Sequence, residues 1–273
     1  MNRLFVAYKP KNISANFFLR KIKRKYGVKK AGFSGTLDPF AEGVLIMAFG
    51  QYTKLFRFLD KAPKKYRATL WIGASSPTLD IEKVEEVKEL MPFSMDSIEI
   101  IAKSFIGEIE YLPPKYSAKR IAGKRAYQLA RDACDFELKK IKSTIYDLKI
   151  LHYTHPFLTF EISISEGGYI RSIGDLFAQK LGVDGILSAL HRLSEGRFVY
   201  HDETALAPLD FINLEPIDYL GEMEDITLGR KLDKQNFDKQ ENGIYKIVNN
   251  DEFALVKLHD DGVDYVLNKV KLC

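Results

Sequence analysis

The chain has 273 residues, 46% apolar and 29% charged, with a net charge of +4, the makeup of a folded protein with one large domain or a large and a small one. No apolar run approaches the roughly 18 residues of a membrane span, and the opening MNRLFVAYKPKN has no apolar stretch of the kind a secretory leader needs. The charge is segregated: residues 1–67 carry 16 Lys/Arg against three acids, a balance of +13 that leaves −9 for the rest, and such a field favours a polyanionic partner.

In chain order, Phe5–Tyr8 reads as a short strand and Ser14 as the cap of a helix over Ala15–Lys25. Phe17, Phe18 and Ile22 form the apolar stripe of that helix, and its polar side (Arg20, Lys21, Lys23, Arg24, Lys25) is entirely cationic. Thr53–Asp60 reads as a second short helix, Lys64–Gly73 as a strand, and Ser75–Asp80 as a loop. A charged, exposed stretch over 81–90 leads to a helix from Met95 through Phe105. Gly123–Arg131 is a short cationic helix, and the alternating runs Ser143–Tyr153 and Pro156–Ser165 make a hairpin. A glycine-rich turn at 165–168 opens a helix through Leu181. Gly185–Leu193 is expected to be a further helix and Gly196–Tyr200 a strand. After Pro208 and Pro216 the composition shifts to short β runs at Ile226–Leu228, Gly243–Val248, Phe253–Leu258 and Val263–Leu267. These are expected to form a small all-β unit, with the boundary between 208 and 224.

The most distinctive stretch is Gly32–Lys54, GFSGTLDPFAEGVLIMAFGQYTK. Pro39 biases Asp38 away from helical backbone, and Gly43 leads into VLIMAF, a run suited to a strand buried on both faces. The stretch thus holds one carboxylate on a stiff turn beside a core strand. Asp and Pro are also favoured in turns for purely local reasons, so Asp38 gains meaning only from its company.

No metal or nucleotide cofactor is expected. His152 and His155 have no cysteine or third ligand near them, and His191, His201 and His259 are scattered. Cys134 and Cys273 make no metal pair and no disulfide framework, so a reducing, cytoplasmic location is expected. There is no P-loop, no dinucleotide fingerprint and no G-x-S-x-G element. What remains is one acid with aromatics and cations at element edges: Tyr66, Tyr169 and Arg171. A lone carboxylate does not suit two-carboxylate glycoside hydrolysis. It suits attack on an electrophilic aromatic base, on which Tyr can stack while Arg pairs with the acid.

Gly32, Gly35-Thr36-Leu37-Asp38-Pro39, Ala41, Gly43-Val44-Leu45, Gly50 and Thr53-Lys54 resemble the signature of the bacterial tRNA pseudouridine synthase B (TruB) family. Other blocks follow in the family's order: Lys9-Pro10 with Ser14, Lys65-Tyr66, PPKYSAKRIAGKRAYQLAR from Pro113 to Arg131, Gly167-x-Tyr169-Ile170-Arg171-Ser172, and Leu190-x-Arg192 with Gly196-x-Phe198. Together they cover about residues 5–200. The resemblance implies an α+β pseudouridine synthase fold: a mixed, largely antiparallel central sheet flanked by helices, with a small C-terminal β domain. It implies a catalytic domain over 1–210, with an RNA-gripping segment about 112–146, and a β domain over 220–273 that is PUA-like in size and β character. It implies isomerisation of a uridine (position 55) in the T-loop of tRNA, without cofactor or metal. Asp38 would be the nucleophile, at base or sugar carbon. Tyr66 would stack on the base, Arg171 would hold Asp38, and Tyr169 and Leu190 would line the pocket. Phe33 would contact RNA near the flipped base, and Lys9, Lys64, Lys65, Lys119 and Arg131 would grip phosphates. The partner would be the T-arm stem-loop, bound by a monomer that needs no protein partner and no membrane.

The chain departs from the family pattern in places. Phe33 stands where the family has His, and Glu166 and Gly168 stand where it has Lys and Thr. The loop Ser75–Asp80 keeps only Asp80 of an acidic pattern, and Asp132-Ala133 follow Arg131 without the usual Gly. Two other functions compete: a non-catalytic RNA-binding module, and a nucleoside-type hydrolase, which the lack of a second acid or metal cluster disfavours.

Overall fold

The computed structural model describes residues 1–117, 119–121, 123–132 and 136–272; Ala118, Ala133, Cys134 and Cys273, used above, lie outside them. The chain runs β1 (Arg3–Lys9), α1 (Ala15–Lys25), β2 (Ala31–Ser34), β3 (Glu42–Phe49), a 3₁₀ turn (Gly50–Arg57), β4 (Lys64–Ile72), β5 (Ala74–Ser75), β6 (Glu86–Val87), α2 (Met95–Lys103) and β7 (Gly107–Tyr111). It continues with β8 (Arg120–Ile121), β9 (Lys124–Arg125), α3 (Ala126–Arg131), β10 (Ile141–Thr154), β11 (Phe157–Ile164), α4 (Ile170–Lys180), β12 (Gly185–Glu195), β13 (Ala205–Leu206), α5 (Met223–Leu228), β14 (Gly243–Asn249), β15 (Glu252–His259) and β16 (Gly262–Lys271). Among the described residues one nine-stranded sheet has the order β13-β1-β3-β12-β4-β11-β10-β7, with β2 paired to β3. Every pairing in it is antiparallel except β12 with β3.

β3 is the strand that the apolar run VLIMAF anticipates. Its Leu45, Met47 and Phe49 pack under α1 with Phe5, Phe18 and Ile22. Its Val44, Ile46 and Ala48 face the other way, onto Phe253, Leu255, Leu267 and Val270 of the three-stranded β14-β15-β16 sheet. Burying each of the larger side chains contributes about 1.5–3 kcal/mol, so both faces anchor the turn that precedes the strand. The C-terminal sheet therefore has its own hydrogen-bonded ladder but shares an apolar cluster with β1 and β3. α2 and α4 cover the β4, β10, β11 and β12 side of the large sheet, where Leu70, Phe160, Ile173 and Phe177 are buried.

Several local expectations are corrected. Gly185–Leu193 is strand, not helix. Its apolar residues Leu187 and Leu190 are three apart, as on a helix face, because the pairing with β4 slips by one residue between Leu187 and Ala189; such a bulge returns both side chains to one face. Gly196–Tyr200 forms no strand beyond a bridge from Glu195 to Phe198. Ile226–Leu228 closes helix α5, which ends on the left-handed Gly229. The helix expected over Thr53–Asp60 is the 3₁₀ turn Gly50–Arg57, and the one expected from Gly123 starts at Ala126. In α1 the Ser14 hydroxyl accepts from the Phe17 amide as expected, but Phe17 is exposed rather than part of the buried stripe.

Candidate active site

Asp38 sits on a turn closed by the Ala41 amide donating to the Asp38 carbonyl at 3.1 Å. Two glycines make the turn possible. Gly35 has φ +64°, and a Cβ there would stand 2.9 Å from Lys64 Nζ. Gly43 has φ +112°, and its Cβ would stand 2.3 Å from the Arg192 carbonyl oxygen, which is where β3 and β12 run parallel.

Two buried cations hold the turn and its flanks. Arg192, 1% exposed, donates from Nε to the Val44 carbonyl at 2.8 Å, from Nη2 to Gly35 at 3.2 Å and from Nη1 to Thr36 at 3.4 Å. Its ion pair with Glu195 at 2.9 Å is shared with Lys64, also 2.9 Å from that carboxylate. Lys9, fully buried, donates to the carbonyls of Ala41 (2.7 Å), Ile13 (2.8 Å) and Pro10 (2.9 Å). Burial pushes its ammonium down to about 8, against the pull of Asp38. Lys9 and Lys64 are therefore spent inside the protein, which corrects the expectation that they grip phosphates. Lys65 is exposed, but strand alternation turns it to the face of β4 opposite Tyr66.

Arg171, in the first turn of α4, is 4% exposed. Its Nε lies 2.9 Å from Asp38 Oδ2. The rest of the guanidinium donates to the carbonyls of Thr78 (2.7 Å) and Tyr116 (3.0 Å) and reaches Asp80 Oδ2 at 3.3 Å. Asp80 is itself fixed by the Thr78 hydroxyl at 2.6 Å and the Glu82 amide at 2.9 Å. Burial raises the Asp80 carboxyl, and Thr78 and Arg171 oppose that rise. Thus a loop with little acidic pattern still supplies the outer partner of Arg171. Thr78, Asp80, Arg192 and Glu195 were missed as site residues. The surviving Asp80 of the loop and the spacing of Leu190 and Arg192 on one strand face were the signals available.

Asp38, Tyr66, Tyr169, Arg171 and Leu190 come together around one cavity of about 110 Å³, with Ser117 on its wall. They arrive from a turn, β4, the start of α4 and β12. The Tyr169 amide donates to the Tyr111 hydroxyl at 3.0 Å, and the Ser172 hydroxyl donates to the Leu112 carbonyl at 2.8 Å. These bonds tie the start of α4 to the 111–117 segment. Burial, more than the neighbouring Asp38 charge, raises the Tyr169 phenol. The cavity opens onto a groove of about 680 Å³, walled by Asn16, Phe33, Thr78, Tyr127 and Arg131 among others. Phe33 does both things open to it: it lines the groove and packs, half-buried, under α1. Of the five cations expected to grip RNA, Arg131 lines the groove, its guanidinium 5.5 Å from the Tyr127 ring centre. Lys119 reaches back to the Lys139 carbonyl at 3.5 Å. Among the described residues no three His, Cys, Asp or Glu side chains gather as metal ligands, and no helix is long and apolar enough to cross a membrane.

A profile of the TruB family pseudouridylate synthase N-terminal domain matches residues 23–170. The chain is 52% identical over 273 residues to a Campylobacter curvus (strain 525.92) protein named tRNA pseudouridine synthase B, with all of both chains covered. It is 50% identical over 270 residues to a protein of the same name from a Sulfurovum species, covering 99% of this chain and 98% of the other. Among solved structures it resembles a chain from the crystal structure of a Cbf5-Nop10-Gar1 complex, with TM-score 0.66 and 20% identity over 99% of this chain and 84% of that one. At that identity the likeness shows a shared fold.

Proposed function

The chain belongs to the TruB family of pseudouridylate synthases, and on that premise we propose that it isomerises uridine 55 in the T-loop of tRNA, with Asp38 as the nucleophile on a flipped-out base. Its α+β architecture is the pseudouridine synthase fold. In this reaction the N1–C1′ bond of the uridine breaks and a C5–C1′ bond forms. The C5 proton leaves to solvent and N1 gains a proton, so the product is an isomer and no cofactor is invoked.

The observation that carries the reading is the Arg171–Asp38 pair at 2.9 Å. The acid's side chain is 31% exposed to the cavity while its partner is 4% exposed. The carboxylate is thus reachable by a base, and the guanidinium that orients it is not. Charge-assisted pairing of this kind fixes both position and direction. Tyr66 supplies an aromatic wall for stacking, Leu190 and Tyr169 bound the base, and a cavity of about 110 Å³ requires the uridine to leave its stack. Unstacking costs a few kcal/mol, roughly, and less in a loop than in a duplex. Phe33, Arg131 and Lys119 are read as contacts to the flanking nucleotides.

In this reading residues 1–210 carry the reaction, the 112–146 segment grips the T-arm, and 220–273 form the small, PUA-like β domain. A monomer acting alone is part of this reading, and a tRNA substrate supports the cytoplasm. The test is tritium release from 5-tritiated uridine in a T-arm stem-loop. Wild type should release tritium, and Asp38→Asn should release none while still binding the RNA. An Asp38→Asn protein with full activity would overturn the reading.

A further inference from the structure

Helix α1 carries a surface that the reaction does not use. Its first turn, Ser14 to Asn16, forms part of the groove wall beside Asp38 and Phe33. The helix continues for 11 residues, about 16 Å in all, and only its first turn lines the groove. Phe17, Arg20, Lys21 and Arg24 are all exposed and recur at helical spacing along one outward stripe. Arg20 and Lys21 stand 5.4 and 5.3 Å from the Phe17 ring centre. Among the described residues no carboxylate pairs with Arg20, Lys21, Lys23 or Arg24; Lys25 has Glu203. Cations in the last turn suit the helix dipole. Arg20 and Lys21 lie earlier, and their like-charged neighbours three and four residues on work against the helix.

We propose that this stripe binds a second, unpaired region of the same tRNA, outside the T-arm. The inference rests on the tRNA reading above. An aromatic face flanked by cations is the arrangement on which unpaired nucleotides stack while their phosphates are neutralised. Paired stem bases are already stacked and offer no free face to Phe17. The T-loop itself is served by the groove, where Phe33, Tyr127 and Arg131 supply the same chemistry. The occupant of α1 is therefore another single-stranded part of the folded tRNA, next to the groove because α1 begins on its wall.

The experiment compares filter binding of full-length tRNA and of the isolated T-arm stem-loop to wild type, to the triple variant Arg20→Gln/Lys21→Gln/Arg24→Gln, and to Phe17→Ser. The triple variant is expected to bind tRNA about a hundredfold more weakly at roughly 0.15 M salt, with the slope of log affinity against log salt reduced by about three, one per phosphate contact. Phe17→Ser is expected to weaken tRNA binding by about tenfold with the salt slope unchanged. Stem-loop affinity should stay within about twofold for both. The substituted side chains are exposed, so thermal melting should not fall. Equal losses on both RNAs, or no loss on tRNA, overturn the proposal. Tritium release by wild type on the stem-loop tests the active-site reading separately, because the binding ratio needs no turnover.

Discussion

Arg192 reaches Gly35 beside the parallel junction of β12 and β3: its Nη2 donates to the Gly35 carbonyl at 3.2 Å, three residues ahead of Asp38. The bond makes a strand residue the anchor of the turn that carries Asp38. Arg192→Gln removes the anchor and leaves part of a buried ion pair, which costs about 3–5 kcal/mol. The melting temperature should fall by roughly 10 °C. In the fraction that folds, kcat should fall about 100-fold, as expected for a misplaced nucleophile, with KM nearly unchanged because the groove is intact. Wild-type kcat in folded Arg192→Gln protein would contradict this role.

Arg171→Lys keeps the charge but not the reach. One ammonium cannot span Asp38, Asp80 and the carbonyls of Thr78 and Tyr116 as the guanidinium does. The substitution is therefore not conservative here. Single-turnover rates on the T-arm stem-loop should fall by about 100-fold or more, because oriented charge is what the site supplies. RNA affinity should change little, since Arg171 is buried beneath the site.

Lys9 gives a pH signature. Its folded value, about 8, lies below the roughly 10.4 of a free lysine. The unfolded chain therefore binds more protons between these two values, and stability rises with pH across that window. Below pH 8 the whole cost of burying the ammonium is present. Urea unfolding of wild type and Lys9→Met at pH 7 and pH 10 isolates the effect, since other groups cancel. Wild type should gain on the variant by roughly 2 kcal/mol between the two pH values. A difference that does not change with pH would show that Lys9 does not titrate there.

Phe33→Leu retains apolar contact with the α1 cluster but loses the ring face presented to the groove. Base stacking on an aromatic contributes about 1–3 kcal/mol. KM for the stem-loop should rise about tenfold with kcat and melting temperature little changed. A fall in melting temperature without a change in KM would assign Phe33 to packing alone.

The sequence made the Asp38 turn legible because its cues are local: Pro39 after Asp38, Gly35 and Gly43 where the backbone is left-handed, and an apolar run in β3. The joint appearance of Tyr66, Tyr169 and Arg171 in family order supplied the rest of the cavity. What was not legible depends on long-range pairing. Gly185–Leu193 reads as helix until the bulge at Ser188 is known. Lys9 and Lys64 read as phosphate ligands because a buried lysine and a surface lysine look alike in sequence; only the carbonyls and Glu195 around them show where their charge is used. Lys65, by contrast, stays exposed on the outer face of β4.

The shared cluster between β3 and the C-terminal sheet sets an order of events during synthesis. Val44, Ile46 and Ala48 are covered by Phe253, Leu255, Leu267 and Val270, about two hundred residues later in the chain. At ribosomal speeds of roughly 5–20 residues per second, that face stays bare for roughly 10–40 seconds. The turn carrying Asp38 also waits for β12, whose Arg192 supplies its anchor. The acid is thus among the first chemically important groups to be made and among the last to be set in place. The newly made protein has an uncovered apolar strand before the turn that carries Asp38 is anchored, a state in which shelter of β3 from aggregation matters.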